Sequence, residues 1–129
     1  MTYLLDTHTL IWALTKSAEL SDNVRDILQD GNNEIFVSTL SFWEMAIKRS
    51  VQKLDLQGGN PEDFVVETLK ADFHILPLSF ELCSSFYKLT ATHHKDPFDR
   101  LLISQAIVEN MTLVSADANF GKYQAKLLW

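Results

Sequence analysis

Short apolar stretches alternating with helix-length amphipathic segments are the feature that most limits what this chain can become. Residues 3–5 (Tyr-Leu-Leu) are apolar and stop at Asp6, and residues 34–38 (EIFVS), 74–78 and 112–115 (TLVS) have the same largely apolar character. Such runs, without a regular polar alternation, suit strands covered on both faces. Between them lie helical patterns. Residues 7–14 place Leu10, Ile11 and Leu14 inward, residues 41–51 carry Phe42, Met45, Ala46 and Ile47, and the segment after Pro97 carries Phe98, Leu101, Leu102, Gln105, Ala106 and Val108. Local punctuation agrees with this division. Ser21 is a helix N-cap with Gly31 as the stop, and Asn60-Pro61-Glu62-Asp63 joins a cap, a first-turn proline and two acids. Ser79 caps a helix running to about Leu89, and Asp96-Pro97 opens another. Residues 126–129 are read as a last, edge strand. The alternation predicts an α/β fold with a mostly parallel sheet covered by helices on both faces. No repeat, low-complexity tract or linker divides the sequence, so residues 1–129 are read as one domain.

Charge and composition narrow the function. No apolar run reaches the ~18 residues of a membrane span. The start MTYLLDTHTLIWAL has no basic region and is interrupted by an acid, so it is not read as a signal peptide. A single cysteine, Cys83, excludes an internal disulfide and a cysteine zinc site, and a reducing cytoplasm is the simplest compartment. The net charge of −6, from 17 acids and 11 bases, argues against a broad basic face for nucleic acid. It leaves room for a nuclease whose acids surround a divalent cation, because the phosphate then meets the metal. An acidic surface also suits a basic protein partner.

Four acids fall where a parallel sheet places its ligands, outside the carboxyl ends of the strands. Asp6 directly follows the first strand, and Asp117 lies two residues past the strand 112–115. Glu44 lies in the first or second turn of the helix after EIFVS, and Asp99 lies in the first turn after Pro97. Gathered acids repel unless a cation compensates them. Hard oxygen ligands without cysteine or an obvious histidine set favour Mg²⁺ or Mn²⁺. Each acid also has a structural reading. Asp6 can cap a helix, Ser41-Phe42-Trp43-Glu44 fits a capping box, and Glu44 and Lys48 form an i,i+4 pair. Asp99 suits a helix N-terminus, and Asp117 can simply turn the chain. The joint placement is what these separate readings leave unexplained.

The residues that carry a family likeness are Leu5-Asp6-Thr7-His8, Ser38 to Glu44 (STLSFWE) with Ile47-Lys48, His94 to Ile103 (HKDPFDRLLI) and Leu113-Val114-Ser115-Ala116-Asp117. In this set and order the chain resembles the PIN-domain ribonucleases, in particular the VapC-like toxins of toxin–antitoxin pairs. The resemblance implies a doubly wound α/β/α sandwich with active-site acids at Asp6, Glu44, Asp99 and Asp117. Asp99 rather than Asp96 starts the family's acid-x-x-x-Ile-x-x-Ala helix, which leaves Asp96 as a cap or supporting residue. Ser115 stands where the family more often has Thr, and Ala118-Asn119-Phe120 lacks a further acid that often follows the fourth. The resemblance also implies RNA as substrate, ends of 5′-phosphate and 3′-hydroxyl, a homodimer, and a cognate antitoxin that covers the site.

On this reading Asp6, Asp99 and Asp117 hold Mg²⁺ or Mn²⁺, and Glu44 binds it through water or orients the attacking water. Arg100 is the foremost candidate for a phosphate contact, ahead of Lys48, Arg49 and Lys53. Trp12, Phe42 and Trp43 are read mainly as core, with a dimer seam or antitoxin groove as the alternative if some are exposed. His8 and His74 are given structural roles. Three alternatives remain. His93-His94 would support metal-independent RNA cleavage by acid–base catalysis. Asp6 superficially matches a haloacid-dehalogenase nucleophile, although that family wants an Asp where His8 stands. A degenerate domain would only bind a partner.

Overall fold

The computed structural model describes residues 1–89 and 95–129. The His93-His94 pair lies outside the described residues. The strands are β1 (Thr2–Leu5), β2 (Glu34–Ser38), β3 (His74–Leu76), β4 (Thr112–Val114) and β5 (Leu127–Leu128). The α-helices are α1 (Thr7–Thr15), α2 (Asp22–Gln29), α3 (Thr39–Ser50), α4 (Pro61–Lys70), α5 (Phe80–Ser85) and α6 (Pro97–Val108). The sheet order is β3-β2-β1-β4-β5, and all four pairings are parallel. Leu5 lies beside Val37 on one side and Val114 on the other, while Leu4 lies between Phe36 and Leu113.

Pleating sends alternate side chains to opposite faces, and each face has its own core. Tyr3, Leu5, Ile35, Val37 and Val114 pack with Leu10, Val24 and Phe64 of α1, α2 and α4. Leu4 and Leu113 pack with Leu102, Ile103 and Ala106 of α6. α3 serves both cores, with Met45 in the first and Leu40 in the second. This is the expected α/β/α sandwich. The chain winds outward from β1 through β2 to β3, then returns through α6 to the other side of β1. The order therefore reverses between β1 and β4.

The predicted N-caps at Ser21, Ser79 and Asp96 accept from the amides of Val24, Leu82 and Phe98, at 3.2, 3.1 and 2.8 Å. The start of α3 differs from the sequence reading. Ser38 caps it through the Leu40 amide at 3.1 Å, and the helix begins at Thr39, so Ser41 and Glu44 do not form a capping box. Gly31 is not a left-handed stop either; α2 is capped by Asp30, and Gly31 has no positive φ. The left-handed positions that end helices are instead Gln52, Asp72 and Asn110, at φ 56°, 60° and 53°. Each is followed by an amide that closes a Schellman pattern: Lys53 to Lys48, Phe73 to Thr68 and Met111 to Ala106. β3 stops at Leu76, because Pro77 has no amide to extend the ladder. Trp43 is not core: it is 57% exposed and touches Phe98 edge-on. Among the described residues no helix is long and apolar enough to cross a membrane.

Two cores on one sheet make a stability test. Leu4 and Leu5 are adjacent and both fully buried, but they face opposite layers. Leu4→Ala and Leu5→Ala are each expected to cost about 2–5 kcal/mol in denaturant unfolding. A benign result for either would contradict the two-layer packing.

Candidate active site

The reversal between β1 and β4 opens the crevice where doubly wound sheets bind ligands, and Asp6 stands in it. Its amide donates to the Val114 carbonyl at 3.1 Å, which joins it to the end of β4. Thr9 of α1 reaches the same carbonyl with its hydroxyl at 3.1 Å. The Asp6 side chain caps α1, with Oδ1 accepting from the Thr9 amide at 2.8 Å. Its Oδ2 accepts from the Ser115 hydroxyl. Ser115 Oγ in turn accepts from the Asp117 amide at 3.0 Å, and Asp117 Oδ1 accepts from the Asn119 amide at 2.9 Å. One hydroxyl thus holds the first acid and the backbone of the fourth.

Burial pushes the Asp6 carboxyl above its ordinary value, even though Ser115, the Thr9 amide and the charge of His8 pull the other way. Neutral donors do not replace the water that an ionised carboxylate loses on burial. The chemistry of the position therefore favours a cation.

Glu44 reaches this edge from α3. It is buried, and its Oε1 accepts from the Thr7 hydroxyl of α1. Ser41 Oγ lies 3.0 Å from the same Thr7 oxygen. Thr7 has one proton, so it donates to the Glu44 carboxylate and accepts from Ser41. Glu44 Oε2 pairs with Lys48, whose ammonium also lies 2.8 Å from Asp96 Oδ2. Partial burial pulls the Lys48 ammonium down, but hydrogen bonds to Asp96 and Glu44 outweigh it and raise the group. Partial burial likewise pushes Asp96 up, but Lys48 and the Phe98 amide hold it below its ordinary value. Asp96 is thus both helix cap and ion-pair partner. The sequence reading saw Lys48 only as a helical pair or phosphate contact. It had no signal for the α3–α6 bridge, and none for Thr7 and Ser41 beyond their positions in LDTH and STLSFWE.

Asp99 occupies the first turn of α6 and is half-buried. Because α6 leads back into β4, its N-terminus lies at the carboxyl edge, and the Glu44–Lys48–Asp96 bridge fastens it there. Arg100 turns elsewhere: its guanidinium lies 4.8 Å from the Phe86 ring centroid, and its buried Nε has no hydrogen-bond partner among the described residues. Arg49 and Lys53 are exposed and line a separate cavity. The four acids thus come from four elements that end or begin at one edge. Among the described residues, however, no three of His, Cys, Asp or Glu stand together as a ready-made metal cage. Asp6 takes hydroxyl and amide partners, and Glu44 takes hydroxyl and ammonium partners. In donor type, Asp6, Asp99 and Asp117 suit Mg²⁺ or Mn²⁺.

The sequence profile of the PIN domain matches residues 3–126. No curated protein sequence matches. Among solved structures, the chain is similar to VapBC2 from Rickettsia felis bound to a DNA fragment from their promoter, with TM-score 0.72 and 23% identity over 99% of this chain and 98% of that one. It is also similar to VapBC-1 from nontypeable Haemophilus influenzae, with TM-score 0.68 and 17% identity over 99% and 97% of the two chains. DNA-bound VapBC from Salmonella typhimurium gives TM-score 0.68 and 14% identity over the same shares, 99% and 97%. At these identities the likeness is one of fold.

Two stability measurements follow from the site. The folded protein holds a proton on Asp6 more tightly than the unfolded chain does. Stability should therefore fall as pH rises from the ordinary value of 3.8 through the raised folded one, and remain lower at neutral pH. Asp6→Asn keeps a capping oxygen, so in EDTA at pH 7 it should gain about 0.5–2 kcal/mol. A loss at pH 7 would contradict the burial argument. Lys48→Met strips Glu44 and Asp96 of their cation and should cost about 1–3 kcal/mol at pH 7. The gap from wild type should close as pH falls through the lowered Asp96 value, below 3.8, and as it rises through the raised Lys48 value, above 10.5. A gap independent of pH would show that the bridge contributes only packing.

Proposed function

The chain belongs to the PIN domain family, and from that premise we propose that it is a Mg²⁺- or Mn²⁺-dependent endoribonuclease, the toxin of a toxin–antitoxin pair. The observation that carries the reading is the buried Asp6 carboxylate at the sheet reversal, joined through Ser115 to the Asp117 backbone. Asp6, Asp99 and Asp117 would hold the ion, and Glu44 would act through water. When bound, such an ion lowers the pKa of water and screens charge on the phosphodiester oxygens.

The chain's own groups fix the geometry. Ser115 keeps one Asp6 oxygen and the Asp117 loop in register. Thr7 orients Glu44 from one side, and Lys48 holds its other oxygen, so the carboxylate cannot turn away from the edge. In the reaction, water oxygen bonds to phosphorus and the bond from phosphorus to the 3′ oxygen breaks. That oxygen leaves with a proton, giving 5′-phosphate and 3′-hydroxyl ends. Water as nucleophile makes the 2′-hydroxyl unnecessary for chemistry, so preference for RNA must come from contacts along the strand.

Assembly is part of the proposal. Another structural neighbour is described as a toxin–antitoxin complex from Klebsiella pneumoniae, with TM-score 0.64 and 16% identity. By that likeness this chain would bind a cognate antitoxin; the homodimer is what the resemblance to the VapC-like toxins implies, and the cytoplasm is the simplest compartment for a chain with one cysteine. Trp43, Ile47 and Val51 follow at four-residue spacing on α3 and at its end, and all are exposed. An apolar stripe of this kind supports a contact surface. The haloacid-dehalogenase alternative lacks its second acid, since His8 stands there, and the family match leaves it without support.

Purified protein with RNA and Mn²⁺ tests the reading. Wild type should cleave, EDTA should abolish cleavage, and Asp6→Asn or Asp99→Asn should lose more than the roughly 10- to 100-fold typical of outer-shell changes. Ser115→Ala should fall within that range. Unchanged cleavage by the two Asn variants would refute the assignment, and cleavage that persists in EDTA would favour histidine catalysis.

A further inference from the structure

We infer that the exposed His8 ring, backed by Trp12 and Trp129, is a stacking face for a nucleobase next to the acids, so that the RNA strand is gripped by its bases as well as its phosphates. The inference rests on the ribonuclease reading above. His8 lies in the first turn of α1, the helix that Asp6 caps, and its side chain is exposed. Its ring centroid is 5.9 Å from that of Trp12, one turn further along, with the two planes tilted by 54°. Trp12 in turn meets Trp129 at 5.8 Å, edge to face. Trp129 arrives on a different element: it follows β5, whose Leu128 carbonyl accepts from the Ser115 amide at 3.1 Å. Two elements therefore bring aromatic rings to the sheet edge that holds Asp6 and Ser115. Beside them lies an open cavity of about 190 Å³ whose lining includes His8, Trp12, Lys16, Glu19, Leu54 and Asp55.

Core packing explains Trp12 and Trp129, which lie against the first hydrophobic cluster. It does not explain His8, which leaves its ring in solvent at the head of the series. Charge gives a second argument. With 17 acids against 11 bases, the chain attracts phosphates weakly. Stacking of single-stranded bases on aromatic and histidine rings needs no net positive charge, and it suits strands whose bases are unpaired.

The test uses Asp99→Asn protein, so that strands stay intact, with Mg²⁺ and two fluorescent single-stranded RNAs of equal length. One has a mixed sequence; the other has the same backbone with its bases removed. Adding His8→Ala should weaken binding of the base-bearing strand roughly 5- to 100-fold, the range for loss of one stacked base. It should leave the abasic strand within about twofold, and the loss should persist at raised salt, because it involves few counterions. His8→Phe should restore binding. Equal affinity for the base-bearing strand with and without His8→Ala would overturn the platform, as would an equal loss on both strands. If folded wild-type protein with Mn²⁺ neither binds nor cleaves the base-bearing strand, the ribonuclease reading falls, and the platform with it.

Discussion

Burying a carboxylate where a parallel sheet reverses its winding sets the terms for the rest of this molecule. Asp6 sits there because β1 ends at Leu5 and the next amide bonds to the end of β4. Losing water raises the carboxyl's affinity for a proton, and the Ser115 hydroxyl, the Thr9 side chain and amide, and the field of His8 offset that in part. Those donors orient the group without neutralising it. A fold selected for stability alone would place an apolar side chain or a pre-formed ion pair at this point. Conflict between local stability and local structure is the usual mark of a working site.

Around Asp6, two hydrogen-bonded systems leave the start of α1. One passes from α1 through Ser115 to the turn at Asp117. The other passes from α1 through Thr7 to Glu44, then through Lys48 to the cap of α6. The second crosses between α3 and α6, and so fixes the N-terminus of the helix that carries Asp99. Lys48 therefore acts on the site through position: it compensates Glu44 and Asp96 on one side of the edge and ties α3 to the start of α6.

Much of this was legible in the sequence, for identifiable reasons. Strands such as Tyr3-Leu4-Leu5 are apolar because both faces are covered. Ser21, Ser79 and Asp96 announce helix starts through short side chains that satisfy free amides. The helix ends were hidden, because Gln52, Asp72 and Asn110 do without glycine the work usually left to it. The sequence reading put the four acids at one edge from their positions after strands or near a helix start, and the topology brings the elements that carry them to that edge. The Lys48–Asp96 pair, 48 residues apart in sequence, is tertiary and left no local trace. Trp43 misled because size and apolarity suggest a core that its position on α3 does not reach. Arg100 looked like a phosphate ligand beside Asp99, yet helical geometry turns it toward Phe86.

The most direct measurement is a crystal soaked with Mn²⁺ and read by anomalous scattering. A peak within coordination distance of the Asp6, Asp99 and Asp117 carboxylates is the predicted result, with Asp6 turned from Ser115 toward the ion or shared between them. A folded protein showing no peak at that edge, or a peak held by other side chains, would contradict the claim that these acids exist to bind a metal.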